Sequence, residues 1–175
     1  MSKTALFFSP EGGNVHGVAN KLGALMGSDK ADIIPVKDVE KEEVDKYQKI
    51  ILIGSTVGAD HWDNEVIVDE WITFFTKIAD INFETKKVAI VGLGNCVLYP
   101  SHFADGMADL YDRITGLNAY VLGRVDSSDY DFEDSEALDD EGFFRGLALD
   151  EDNEAELTAE RLEKWILQLK PEFEF

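Results

Sequence analysis

The hydrophobic and polar positions of this chain alternate between two spacings. Ala5 to Phe8 is a continuous apolar run that breaks at Ser9-Pro10-Glu11-Gly12-Gly13-Asn14. Beyond the break the apolar positions open out to Val15, Val18, Ala19, Leu22, Leu25 and Met26, which is one helix face. Buried strand, Gly-rich turn and helix follow in that order. Asp32 to Val36 predicts a short strand near a sheet edge, because Pro35 cannot donate a ladder hydrogen bond. Lys49 to Gly54 and Lys87 to Gly92 are apolar runs bounded by turn residues, as in buried parallel strands. Helical spacing returns from Glu65, with Val68, Trp71, Ile72, Phe75 and Ile78 inward. It returns again after Ser101, a predicted N-cap, with Phe103, Met107, Leu110 and Ile114 inward. Ala119 to Val125 predicts a fifth strand, and Thr158 is placed as the cap of a last helix carrying Leu162, Trp165, Ile166 and Leu169.

Strand and helix thus alternate five times. The pattern demands an α/β fold: a parallel sheet covered on both faces by helices, three layers in all. Ligands of such sheets bind outside the carboxyl ends of the strands, where the strand order reverses. Three irregular loops fall there: Ser9 to Asn14, Ser55 to Asn64 and Leu93 to Pro100. The first opens a helix, whose N-terminal amides lack partners and whose dipole favours an anion. It is a candidate phosphate site, although it is neither a Walker A loop nor G-x-G-x-x-G. A plain βα turn that binds nothing is the alternative.

Asp126 to Glu156 is dense in Asp and Glu, with Arg145 its single basic residue. Tyr130, Phe132, Phe143, Phe144, Leu147 and Leu149 are too many large apolar groups for a disordered acidic tail. The segment reads as an ordered insertion with short strands, serving as a partner-docking surface or as structural cover.

Composition narrows the function. A chain of 175 residues fits one domain, 1–175, able to bury a core without staples. The net charge of −20 and pI near 4.3 argue against nucleic acid and anionic membranes and suit a basic protein partner, solubility alone being the alternative. No charged-then-apolar leader and no bilayer-length apolar run occur, so the expected location is the cytoplasm. The single cysteine, Cys96, has no evident base, and no His/Cys/Asp/Glu cluster has metal spacing. A helix N-terminus disfavours a cationic His16, so that side chain is expected to face solvent.

Two stretches carry a resemblance to a known family. VAIVGLGNCVLYPSHFADGMADLYD, from Val88 to Asp112, is similar to the fourth strand, G-x-G-D-x-x-x-Y loop and following helix of the flavodoxins. Tyr130 to Leu169, with YDFEDSEA, FFRGLALDEDN and ELTAERLEKW, resembles the insertion and final helix of their long-chain type. The resemblance covers nearly the whole chain. It implies a flavodoxin-like doubly wound sheet in the order 2-1-3-4-5, with the insertion in the last strand. It also implies one non-covalent FMN at the strand carboxyl ends and low-potential one-electron carriage between redox proteins, with no catalytic residue.

The implied FMN site comprises Ser9, Pro10, Glu11, Gly12, Gly13, Asn14 and Val15 at the phosphate, with Ser55, Thr56, Val57, Gly58, Ala59 and Trp62 and then Gly94, Asn95, Cys96 and Tyr99 around the ring. Tyr99 falls on the family's stacking tyrosine, a ring suited to offset stacking on a flat ligand. Asn95 stands where the family usually has Asp. Val57 replaces an aromatic, and Trp62 either loops back to replace it or packs at the start of the next helix. Gly58 leaves a peptide flip toward the flavin sterically open. The phosphate pattern T/S-x-T-G-x-T departs most, with Pro10, Gly12 and Val15 at its three hydroxyl positions. At roughly 1.5–3 kcal/mol per hydrogen bond to a charged group, the three losses would sum to about 4–9 kcal/mol if they added. Hence the alternative implied function is a binding or regulatory module with weak or altered flavin affinity. A flavin-dependent reductase acting on its own substrate is a third.

Overall fold

The structure, a computed structural model, describes residues 2–56 and 70–174. Strands β1 (Thr4–Phe8), β2 (Ala31–Pro35), β3 (Lys49–Ser55), β4 (Lys87–Leu93) and β5 (Tyr120–Leu122) form a parallel sheet in the order β2-β1-β3-β4-β5. β2 is the edge strand, and Pro35 closes it. Pairing of Phe8 with Ile53 and of Ser55 with Leu93 brings the carboxyl ends of β1, β3 and β4 level. The three loops that follow them therefore begin side by side.

Neighbouring residues along each strand point to opposite faces. Leu6, Phe8, Ile51, Ile53 and Val91 pack on α1 (Gly13–Met26) and on the last helix of the chain. Phe7, Leu52 and Ile90 pack on the other side, with Trp71, Phe74, Phe103 and Leu110. Each of these side chains is buried, and each contributes about 1.5–3 kcal/mol relative to exposure.

The fifth strand differs from its predicted span of Ala119 to Val125. β5 pairs only with the first half of β4, Lys87 to Ala89. The second half, Val91 to Leu93, pairs with β8 (Leu147–Leu149). The chain leaves the sheet at Gly123, whose φ of +82° favours glycine, and whose carbonyl accepts from Trp165 Nε1 at 2.7 Å. The excursion holds an antiparallel pair, β6 (Val125–Asp126) and β7 (Phe143–Phe144). Tyr130, Phe132 and Phe144 cluster on Phe103, with centroid distances of 5.6–6.2 Å to that ring. Leu147 and Leu149, assigned above to the insertion, are sheet residues.

Other placements are corrected too. α3 (Glu70–Lys77) turns Ile72 outward, because Trp71, Phe74, Phe75 and Ile78 already fill one face and Ile72 lies a third of a turn away. Leu25 is likewise exposed, beside a buried Met26. α4 runs over Gly106–Thr115, so Ser101 caps nothing and instead donates to Glu133. The last helix is α5 (Ala155–Phe173). Thr158 lies inside it, buried, with its hydroxyl on Glu151. A short helix α2 (Lys41–Asp45) completes the set described.

Candidate functional site

At the carboxyl edge of the sheet lies a cleft of about 280 Å³. It is built from four loops. The first follows β1. Gly12 and Gly13 take φ values of +76° and +65°, which other residues adopt only under strain, although a Cβ at either would meet nothing within 4 Å. The requirement is conformational rather than one of space. α1 begins at Gly13 with no side-chain cap from Gly12, and its first turn carries no acidic residue. The Gly12 N–H donates to His16 Nδ1 at 3.1 Å, and the imidazole stacks on Phe8 at 4.6 Å. His16 is therefore half-buried on its own loop rather than solvent-facing.

The second loop follows β3. Thr56 N–H donates to Leu93 O at 3.2 Å, and Thr56 Oγ1 accepts from Gly106 N–H at 3.3 Å. The third follows β4. Gly94 passes so close to the turn before α4 that an added Cβ would stand 2.5 Å from Ala104 N. Asn95 Oδ1 accepts from Val97 N–H at 3.2 Å and Leu98 N–H at 2.8 Å, closing a turn that ends at Tyr99. Val97 and Leu98 are left two-thirds exposed at the cleft mouth.

The fourth loop, Asp150 to Asn153, lies between β8 and α5. Asp150 is buried and accepts from Cys96 N–H at 2.8 Å, from the N–H groups of Asp152 and Asn153 at 3.0 Å each, and from Asn153 Nδ2 at 2.9 Å. Burial pushes its carboxyl up, but the bonds from Cys96 and Asn153 outweigh burial and hold it below its ordinary value. Burial, with Asp150 beside it, pushes the Cys96 thiol up to about 12. A thiol so held is no nucleophile.

The cleft walls bring together Pro10, Gly12, Gly13, Asn14, Val15, Ser55, Thr56, Gly94, Asn95 and Tyr99 from the sequence-predicted set. Three members of that set are not on them. Ser9 is buried with its hydroxyl on Glu70 Oε2 at 2.6 Å, Glu11 is exposed, and the Cys96 thiol faces Asp150 and the apolar core. Val57, Gly58, Ala59 and Trp62 lie outside the described residues. Sequence reasoning missed Leu93, Leu98, Glu151 and Asp152. The last two were findable. They follow an apolar triplet, Leu147-Ala148-Leu149, and so stand at the carboxyl end of a strand like the other three loops.

A flavin phosphate fits this arrangement in part. Leu93, Leu98 and Tyr99 offer flat apolar surface, and the glycine turn lets a ligand approach the backbone at the start of α1. Pro10 brings no N–H, and no hydroxyl stands at 10, 12 or 15. Among the described residues no group of three His, Cys, Asp or Glu is placed to hold a metal ion, and no helix is long and apolar enough to cross a membrane.

Sheet order, crossovers and a cleft at the point where the order reverses define a doubly wound α/β protein with its ligand site at the strand ends. The family profile described as Flavodoxin matches residues 6–165. A flavodoxin of Trichodesmium erythraeum is 37% identical over 177 residues, covering 99% of each chain. Flavodoxin 1 of Escherichia coli is 34% identical over 172 residues, covering 98% of this chain and 95% of its own. The crystal structure of Fusobacterium nucleatum flavodoxin bound to flavin mononucleotide superposes with a TM-score of 0.82 at 28% identity, covering 99% of both chains. The chain belongs to the flavodoxin family.

Proposed function

We propose that this chain holds one FMN in the cleft and carries single electrons between redox proteins in the cytoplasm as a one-domain carrier. The observation that carries the reading is the convergence of the Gly12–Val15 turn, Thr56 and Tyr99 on one cleft in a chain of this family. The amides of Gly13 to Val15 and the hydroxyls of Ser55 and Thr56 would hold the phosphate. Tyr99 would cover one ring face, with Asn95 at the polar edge and Val57, Gly58, Ala59 and Trp62 completing the ring side. Bound FMN supplies the redox chemistry; the protein supplies position and field. A charge of −20 suits basic donors and acceptors and steers their approach.

Titration of the purified protein with FMN and separately with riboflavin, read by flavin fluorescence, tests the ligand. FMN is expected to bind tightly and better than riboflavin. Binding of neither overturns the reading. The carrier role is tested by transfer from the reduced, FMN-loaded protein to a basic haem protein such as cytochrome c, at a rate that falls with added salt. A salt-independent rate removes the case for basic partners. One observation favours a second reading, a binding module with altered flavin preference: the Gly12 N–H, a donor for phosphate, is engaged by His16. Equal affinity for the two flavins supports it.

A further inference from the structure

Asp152 stands between two walls of the cleft. Its Oδ1 accepts from Asn14 Nδ2 at 3.1 Å and its Oδ2 from Asn95 Nδ2 at 3.2 Å. Its backbone is fixed by Asp150, and the neighbouring Asn153 ties Asn95 Oδ1 to the same carboxylate at 2.9 Å. The position is therefore imposed by the fold. Asn14 is the second residue of α1, on the turn where a phosphate would sit. The nearby cation Lys21 is paired with Glu151 at 2.7 Å rather than with Asp152. With the Gly12 N–H on His16 as well, two donors of the turn are engaged from within the chain, one of them by a full negative charge.

We propose that Asp152 is a selectivity residue of the cleft: its carboxylate, bridging Asn14 and Asn95, limits the preference for FMN over riboflavin. The inference rests on the flavin reading above. The two ligands share a ring and a ribityl chain and differ in a phosphate carrying about −1.5 to −2 at neutral pH. A carboxylate on the phosphate turn repels one and is indifferent to the other. It also competes for the Asn14 amide, whereas Asn95, on the ring side, is held equally with either ligand.

The test is the same pair of titrations on the wild-type protein, Asp152→Asn and Asp152→Ser, with thermal melting to establish that each variant is folded. Asp152→Asn retains the shape and one acceptor, and Asp152→Ser removes the reach across the cleft. The ratio of riboflavin Kd to FMN Kd is expected to rise about tenfold in both, because only the phosphate feels the lost charge. A ratio that stays flat or falls in the folded variants overturns the proposal while leaving the flavin reading intact, since wild-type protein still binds FMN. Wild-type protein that binds neither flavin overturns both.

Discussion

Replacing Asp150 by Ala removes a buried acceptor that joins the third and fourth loops of the cleft. Four hydrogen bonds are lost, from the N–H groups of Cys96, Asp152 and Asn153 and from Asn153 Nδ2. At about 1.5–3 kcal/mol each to a charged acceptor, the ceiling is about 6–12 kcal/mol. Non-additivity and the access of water to these half-buried neutral donors reduce it, and about 3–4 kcal/mol is expected. For a chain of this length that lowers Tm by roughly 6–15 °C. The pH dependence has a definite sign. A carboxyl held below its ordinary value of 3.8 contributes stability that is full above that value and is lost as pH falls through the folded-state value. Urea unfolding followed by tryptophan fluorescence, at pH 7 and near pH 3, is the assay. The gap between wild type and Asp150→Ala should narrow at the lower pH. A deficit below about 1 kcal/mol at pH 7, or one that does not narrow, refutes the view that Asp150 anchors the cleft as an anion.

Three further outcomes follow from the same geometry. With its thiol pushed up to about 12, Cys96 should alkylate with iodoacetamide at pH 8 roughly a thousandfold more slowly than a free thiol, and Asp150→Ala should speed the reaction; a rate like that of glutathione contradicts the burial argument. Gly94→Ala, with its Cβ directed 2.5 Å from Ala104 N, should cost about 1–3 kcal/mol by urea unfolding and weaken FMN binding, and a neutral result would mean the turn before α4 yields freely. Tyr99→Ala should weaken FMN and riboflavin alike by roughly tenfold in the fluorescence titration, because a ring contact is blind to phosphate; selective loss of FMN alone would reassign Tyr99 to the phosphate.

Much of this site was legible because strand ends can be read from apolar runs. Lys49 to Gly54 and Lys87 to Gly92 are buried on both faces, so their ends, and the loop after the second, fell where expected. The fifth strand was not legible as one element. Its halves, Tyr120–Leu122 and Leu147–Leu149, are three residues each, too short to show a period. They join only because both pair with β4, a tertiary fact. With that strand unrecognised, the loop after it, Asp150 to Asn153, was absent from the predicted site, although the apolar triplet before it marks a strand end. Helix starts were misjudged for a related reason: Ser101 and Thr158 are good caps by type, but their hydroxyls are engaged by Glu133 and Glu151 instead. The imidazole of His16 followed Phe8, a stacking contact that no local pattern announces.

The split fifth strand also sets an order of assembly. The bonds that close the cleft join residues very far apart along the chain: Asn14 to Asp152 spans 138 positions and Lys21 to Glu151 spans 130. Contacts of such separation carry the largest loop-closure entropy and form late in folding. β1, β3, β4 and their crossovers can be made by the first two-thirds of the chain, whereas the fourth wall waits for the turn into α5. A chain emerging from the ribosome thus completes its ligand site only with its final quarter, and possession of a closed cleft becomes a mark that synthesis has run through that turn.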